Sequence, residues 1–182
     1  IDLRHNGMIK VVTGMRRCGK SYLLFNLFTD ALKAKGVDEE NIVQINLEDR
    51  RNKSLRDPDK LLAYIDSRLK DNKMYYILLD EVQLVNEFED VLNSYLQVKN
   101  ADVYVTGSNA RFLSKDVITE FRGRGLEIRV HPLSFSEIRG ARPDEPIEQL
   151  WIEYITYGGL PQVITMNSDQ EKVDYLKGLF KH

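Results

Sequence analysis

Ile9-Lys10-Val11-Val12-Thr13-Gly14-Met15-Arg16-Arg17-Cys18-Gly19-Lys20-Ser21 is the stretch that decides the fold. Its first five residues form a short β-rich apolar run, and Leu23, Leu24, Leu27, Phe28 and Ala31 follow at helical spacing, which predicts a strand, a loop and a helix in immediate succession. The loop reads GxxxxGK(S/T), and a strand before with a helix after is the setting in which that pattern carries physical meaning. Its glycines let the backbone wrap around phosphate oxygens, while loop amides and the helix N-terminus supply partial positive charge. Lys20 then reaches the β- and γ-phosphates of a nucleotide, and the Ser21 hydroxyl joins the shell of a Mg²⁺ ion. Gly14, Met15, Arg16, Arg17, Cys18, Gly19, Lys20, Ser21 and Tyr22 are thus the candidate nucleotide-binding residues, with Lys20 also a catalytic candidate. The competing reading is a glycine-rich turn with a solvated lysine.

Outward from this stretch, further β-rich runs lie at Ile42 to Leu47, Met74 to Leu79, Val103 to Thr106 and Leu126 to Val130. They alternate with helical patterns, first Leu61, Leu62, Ile65 and Leu69, then Leu84, Val85, Phe88, Val91, Leu92 and Tyr95. Asp57-Pro58 opens the earlier of these two as a cap followed by proline at the first helical position. Strands alternating with crossover helices predict a three-layer α/β domain with a parallel five-stranded sheet. After about His131 the strand signal stops. Ile147, Leu150, Trp151, Tyr154 and Ile155 then mark one face of a helix, with Trp151 read as core, and a last helix is expected over Glu171 to Phe180. The Arg139-Gly140-Ala141-Arg142-Pro143 stretch is the expected seam between an α/β core over 1–138 and a helical extension over 139–182.

The third run ends Ile77-Leu78-Leu79-Asp80-Glu81. A carboxylate directly beyond a buried strand is costly unless a cation meets it. Mg²⁺ beside a γ-phosphate is such a cation, so Asp80 joins Ser21 as a metal-ligand candidate. Glu81 is then close enough to orient or deprotonate a water for in-line attack. The simpler alternatives are a helix cap for Asp80 and an exposed carboxylate for Glu81. The fourth run ends Thr106-Gly107-Ser108-Asn109. Ligands of open α/β sheets bind outside the carboxyl ends of strands, which makes Ser108 and Asn109 candidates for bonding a γ-phosphate or the attacking water. A turn in which Asn109 caps the next helix is the alternative.

Composition narrows the class. The chain has 182 residues, 26 basic against 28 acidic, for a net charge of −2, which excludes nucleic-acid binding through a global positive field. Its longest apolar run, Met74 to Leu79, is far short of the roughly 20 residues of a membrane-spanning helix. Cys18 is the single cysteine, so no intramolecular disulfide can form, in keeping with a reducing cytoplasm. Its place beside Lys20 admits a redox gate, against the simpler reading of a variable loop position. His5, His131 and His182 lack metal-ligand spacing, and no zinc site is expected. Arg122, Arg124, Arg129, Arg139 and Arg142 face only Glu127 and Glu137 within their stretch. That local bias reads either as a trans-acting arginine or nucleic-acid contact, or as a strand edge protected by charge. The chain begins at Ile1 rather than Met, and is read as part of a longer protein.

Taken together, these motifs resemble the P-loop ATPase core of the AAA+ superfamily. They are most similar to an uncharacterised bacterial and archaeal group: Gly14 to Ser21 as the phosphate loop, Leu79 to Gln83 as an LDEVQ second motif, Thr106 to Asn109 as TGSN, Gly123-Arg124 followed by Pro132 to Glu137, and Gly158-Gly159-Leu160-Pro161. The resemblance implies a sheet in 5-1-4-3-2 order, Mg-ATP as ligand, and Asn109 or Ser108 as sensor of the γ-phosphate. It further implies Arg124, with Arg122 nearby, as an arginine finger acting through self-association, Pro161 beside the adenine, and a C-terminal effector domain beyond the GG-x-P region. The expected function is that of a cytoplasmic ATPase in which Glu81 positions water and turnover moves the helical extension, an effector domain or a partner. An ATP-dependent switch or scaffold that hydrolyses slowly is the alternative. A P-loop kinase ranks lower, and a GTPase lower still, because Asn72-Lys73 lacks the guanine-reading Asp. Nucleic acid and protein both stay open as targets, since their specificity lies outside these motifs.

Overall fold

The computed structural model describes residues 3–107, 121 and 123–179. Five parallel strands, β1 (Ile9–Thr13), β2 (Ile42–Asn46), β3 (Tyr75–Asp80), β4 (Ala101–Thr106) and β5 (Gly125–Arg129), form one sheet in the order β2-β3-β4-β1-β5. Read from the other edge, this is 5-1-4-3-2. Every residue of β1 and β3 is buried, as a sheet covered on both faces requires. The two-residue period of a strand divides their side chains between the layers. Tyr75, Ile77 and Leu79 join Val43, Ile45, Val103 and Val105 beneath helices Pro58–Arg68 and Phe88–Tyr95. Tyr76, Leu78 and Tyr104 face the other way, against Leu24 and Leu32 of the helical stretch 20–34.

That stretch is α-helical over Lys20–Tyr22, π-helical over Leu23–Phe28 and α-helical again over Thr29–Ala34. Helix Pro58–Arg68 begins as its sequence signals it should, with the Asp57 carboxylate accepting from the Lys60 N–H at 3.1 Å. The pattern starting at Leu84 behaves differently from its reading. Glu81 and Glu87 both adopt left-handed backbone, at φ 56° and 53°, so a 3₁₀ turn (Val82–Leu84) intervenes and the helix starts only at Phe88. Val82 and Val85 are buried all the same, so core packing rather than helix set the apolar spacing there. A charged pair also lies inside the sheet. Lys10 of β1 is fully buried and pairs with Asp102 of β4, whose other oxygen accepts from the Tyr104 hydroxyl and the His5 N–H, both at 3.1 Å. Saturating the carboxylate in this way is what makes such a buried pair tolerable.

The chain divides into two compact units, Ile1–Gly14 with Lys20–Arg129, and Met15–Gly19 with Val130–His182. In the second, helix Phe135–Ala141 starts in a capping box, where Ser134 Oγ accepts from the Glu137 N–H and the Glu137 carboxylate accepts from the Ser134 N–H. Helices Ile147–Tyr157, Pro161–Ile164 and Asp169–Leu179 follow. The Leu133 N–H donates to the Gly159 carbonyl at 2.7 Å, and a Cβ on Gly159 would lie 1.9 Å from the Leu133 oxygen. The PLSFSE and GG-x-P motifs are therefore two sides of one backbone contact. Gly159→Ala is expected to destabilise this unit by about 1–3 kcal/mol, the usual cost of overpacking, and to lower the melting temperature by several degrees. Gly140→Ala, inside helix Phe135–Ala141 where an added Cβ meets nothing within 4 Å, is expected to hold or slightly raise the melting temperature in the same melts, which separates the clash from the loss of glycine itself.

Two sequence readings change in this unit. Trp151 is not core: it is 48% exposed and Ile155 62% exposed, leaving Leu150 as the buried residue of helix Ile147–Tyr157. The Trp151 ring instead packs on the edge of Phe135, with centroids 5.0 Å apart. Nor is Arg142 an unpaired positive charge, since its guanidinium bonds Glu145 and, at 3.1 Å, Glu153, which also pairs with Lys172 at 2.8 Å. Arg139 donates to the backbone carbonyls of Arg142 and Glu145. No helix among the described residues is long and apolar enough to cross a membrane.

Candidate nucleotide site

Within the first unit, strand periodicity brings the acid and its partners together. Leu78 of β3 and Tyr104 of β4 are cross-strand partners facing the 20–34 stretch, and two residues further along each strand come Asp80 and Thr106. The Thr106 hydroxyl donates to Asp80 Oδ1 at 2.5 Å. Ser21 Oγ, from the first turn of the helical stretch, donates to the same oxygen at 2.9 Å. Lys20 is 5% exposed, and its Nζ donates to the Gly14 carbonyl at 3.0 Å. Asp80 is 2% exposed. Burial pushes its carboxyl above the usual range, the Thr106 and Ser21 hydroxyls oppose that rise, Glu81 adds to it, and the Lys20 charge draws it back.

Glu81 is half-buried in its left-handed conformation. Its N–H donates to Thr106 Oγ1 at 3.1 Å, and its Oε2 accepts from the Gln83 side-chain amide. The Gln83 carbonyl oxygen is buried with no partner among the described residues. Thr106 and Gln83 are absent from the sequence candidates. Only an inward position closing β4 beside β3 singles out Thr106, and nothing local marks its hydroxyl. Gln83 carried no such signal, because its contact depends on the Val82–Leu84 turn.

Loop residues Met15–Gly19 lie in the second unit, where Met15, Arg16 and Arg17 are exposed. The guanidinium of Arg17 stands 5.1 Å from the centre of the Tyr175 ring. Cys18 is buried, its thiol donating to the Val130 carbonyl at 3.6 Å. Gly19 has φ 99°, which a side chain would strain, and its Cβ position is 3.7 Å from Pro161 Cγ. Tyr22 points largely into solvent. Arg124 is exposed and immediately precedes β5, its carbonyl accepting from the Ile9 N–H at 2.8 Å. Since β5 runs parallel to its neighbours, Arg124 stands at the amino end of the sheet, roughly 15 Å of strand away from the carboxyl ends that carry Asp80 and Thr106. Ser108, Asn109 and Arg122 lie outside the described residues.

A parallel 5-1-4-3-2 sheet, with a glycine-bounded loop leading from β1 into a helix, defines the P-loop NTPase fold. The chain belongs to the AAA domain family, whose family model matches residues 6–139, and with it to the AAA+ superfamily. It is 34% identical over 185 residues to an uncharacterized protein of Haemophilus influenzae, covering 99% of this chain and 46% of that protein. Against an uncharacterized protein of Methanocaldococcus jannaschii the identity is 30% over 189 residues, covering 94% and 41%. The chain thus spans less than half the length of either relative. Among solved structures, Caenorhabditis elegans PCH-2 is similar at a TM-score of 0.54 and 17% identity, over 74% of this chain and 37% of that one. A DNA polymerase III gamma subunit-related protein of Thermotoga maritima gives 0.54 and 11%, over 87% and 52%. At these identities the likeness is one of fold.

Proposed function

We propose that this chain is the Mg-ATP-binding ATPase core of a longer cytoplasmic protein, coupling ATP turnover to movement of an effector domain or partner, with residues 139–182 as the start of a lid or linker. The observation that carries this reading is the Ser21 hydroxyl on the Asp80 carboxylate, two groups 59 positions apart in sequence that meet at 2.9 Å. Both are hard oxygen donors, and Mg²⁺ takes one or two such protein oxygens together with waters and phosphates. When bound, the ion neutralises charge on the phosphates. Lys20 exchanges the Gly14 carbonyl for a phosphate oxygen, and the loop amides hold the remainder of the phosphate chain. Glu81 orients a water toward the γ-phosphorus and takes its proton as the β–γ anhydride bond breaks, giving ADP and phosphate. Asn109 or Ser108 senses the γ-phosphate, and Pro161 borders the adenine. Titration with a fluorescent ATP analogue is expected to give saturable, Mg²⁺-dependent binding; no binding at millimolar nucleotide overturns the reading.

The exposed place of Arg124, at the sheet end opposite Asp80, favours its delivery to a neighbouring copy rather than to its own site. A finger of that kind raises turnover by a thousandfold or more. Turnover per chain is accordingly expected to rise with protein concentration, and to lose that dependence in Arg124→Ala. A concentration-independent rate from a chain that stays monomeric contradicts the trans role.

A further inference from the structure

We propose that Thr106 is a positioning residue for hydrolysis, a single buried hydroxyl that holds Glu81 and Asp80 in register with one another. This rests on the ATPase reading of the same site. Thr106 is fully buried, so its hydroxyl has no access to bulk water and must be satisfied by the protein. A hydroxyl offers one donor and two acceptor positions. Here the donor goes to Asp80 Oδ1 at 2.5 Å, and the oxygen accepts the Glu81 N–H at 3.1 Å. Donation to a carboxylate strengthens that oxygen as an acceptor, so the two bonds support each other.

The second bond matters because of where Glu81 sits on the backbone map. At φ 56°, ψ 48° it occupies the left-handed region, which is unfavourable for a glutamate, and the residue persists there only while its surroundings hold it. The same dihedrals set the direction in which the side chain leaves the backbone. Losing the Thr106 acceptor frees the Glu81 N–H and, with it, the aim of the carboxylate. Ser21 bonds Asp80 from the helix, on the phosphate-loop side, whereas Thr106 bonds it from the neighbouring strand, so the Thr106 contact does not have to break when Ser21 turns to a ligand. Fully buried, with its hydroxyl committed to these two bonds, Thr106 acts through the two acids.

Thr106→Val keeps the side-chain shape and removes the hydroxyl. Loss of the two bonds is expected to lower kcat by about 10–100-fold while the ATP affinity stays within about threefold, and Thr106→Ser, which keeps the hydroxyl, restores kcat to within about threefold. The Glu81 backbone amide gives a readout that does not depend on activity. Its proton resonance is expected to move upfield and exchange faster in Thr106→Val, and to stay in place in Thr106→Ser. If the valine variant does not fold, Thr106→Ala beside Thr106→Ser carries the same comparison. A hydroxyl-free variant that turns over like wild type, one that loses affinity as much as kcat, or an unmoved Glu81 amide overturns the proposal. Should the wild-type chain bind ATP without hydrolysing it, the ATPase reading fails on its own, and the amide measurement still decides whether Thr106 holds Glu81.

Discussion

Lys20→Ala is expected to weaken ATP binding by about 100-fold or more, since a charged hydrogen bond and the closure of the loop are lost together. The ammonium group is already buried and oriented in the described state, donating to the Gly14 carbonyl six residues back. Replacing that neutral acceptor with an anionic phosphate oxygen pairs the ammonium with an opposite charge at little further cost in side-chain order. Alanine removes the charge and also unties Lys20 from Gly14, so the loop amides lose part of their preorganisation. Calorimetric titration of wild type and variant, with circular dichroism to verify folding, measures the effect. An affinity within threefold of wild type contradicts the role given to Lys20.

Under the proposed function, Glu81→Gln is expected to act on the chemical step and not on binding. Turnover is expected to drop by about 10²–10³-fold, the usual contribution of a positioned general base, with ATP affinity unchanged. Glutamine preserves the shape, can still accept from Gln83, and leaves the backbone bond to Thr106 untouched. What disappears is the ability to take a proton from water. Undiminished hydrolysis by this variant refutes the assignment of Glu81.

Much of the fold was legible because buried parallel strands announce themselves. Ile9 to Thr13 and Met74 to Leu79 are continuous runs flanked by helical spacing, and the strands fall within a residue or two of those limits. Ser21 and Asp80 stand out in the phosphate-loop pattern and as an acid closing a buried strand, as two candidate ligands of one ion, whereas the hydrogen bond between them is visible only in the fold. Contacts that depend on backbone in unusual regions were hidden. The left-handed turns at Glu81 and Glu87 interrupt an unbroken apolar periodicity, and the contact between Gln83 and Glu81 exists only because of the first of them. Thr106 looked like an ordinary strand residue, since β-branched side chains favour strands and nothing local marks its hydroxyl as shared by two acids. Lys10 was likewise hidden in an apolar run, because its partner Asp102 lies 92 positions away. Arg142 is matched both locally, by Glu145 three residues on, and at long range, by Glu153 of helix Ile147–Tyr157. Trp151 shows the opposite failure, since its helical spacing matched a core face that the fold leaves half open.

Phosphate release from ATP, followed in single turnover with the chain in excess and with Mg²⁺ either supplied or chelated, tests most directly whether the Ser21–Asp80–Glu81 arrangement is a hydrolytic site. The expected result is Mg²⁺-dependent release by wild type and a rate lowered by about 10²–10³-fold in Glu81→Gln. Release that persists undiminished in chelator, or that is equal in wild type and Glu81→Gln, would contradict it.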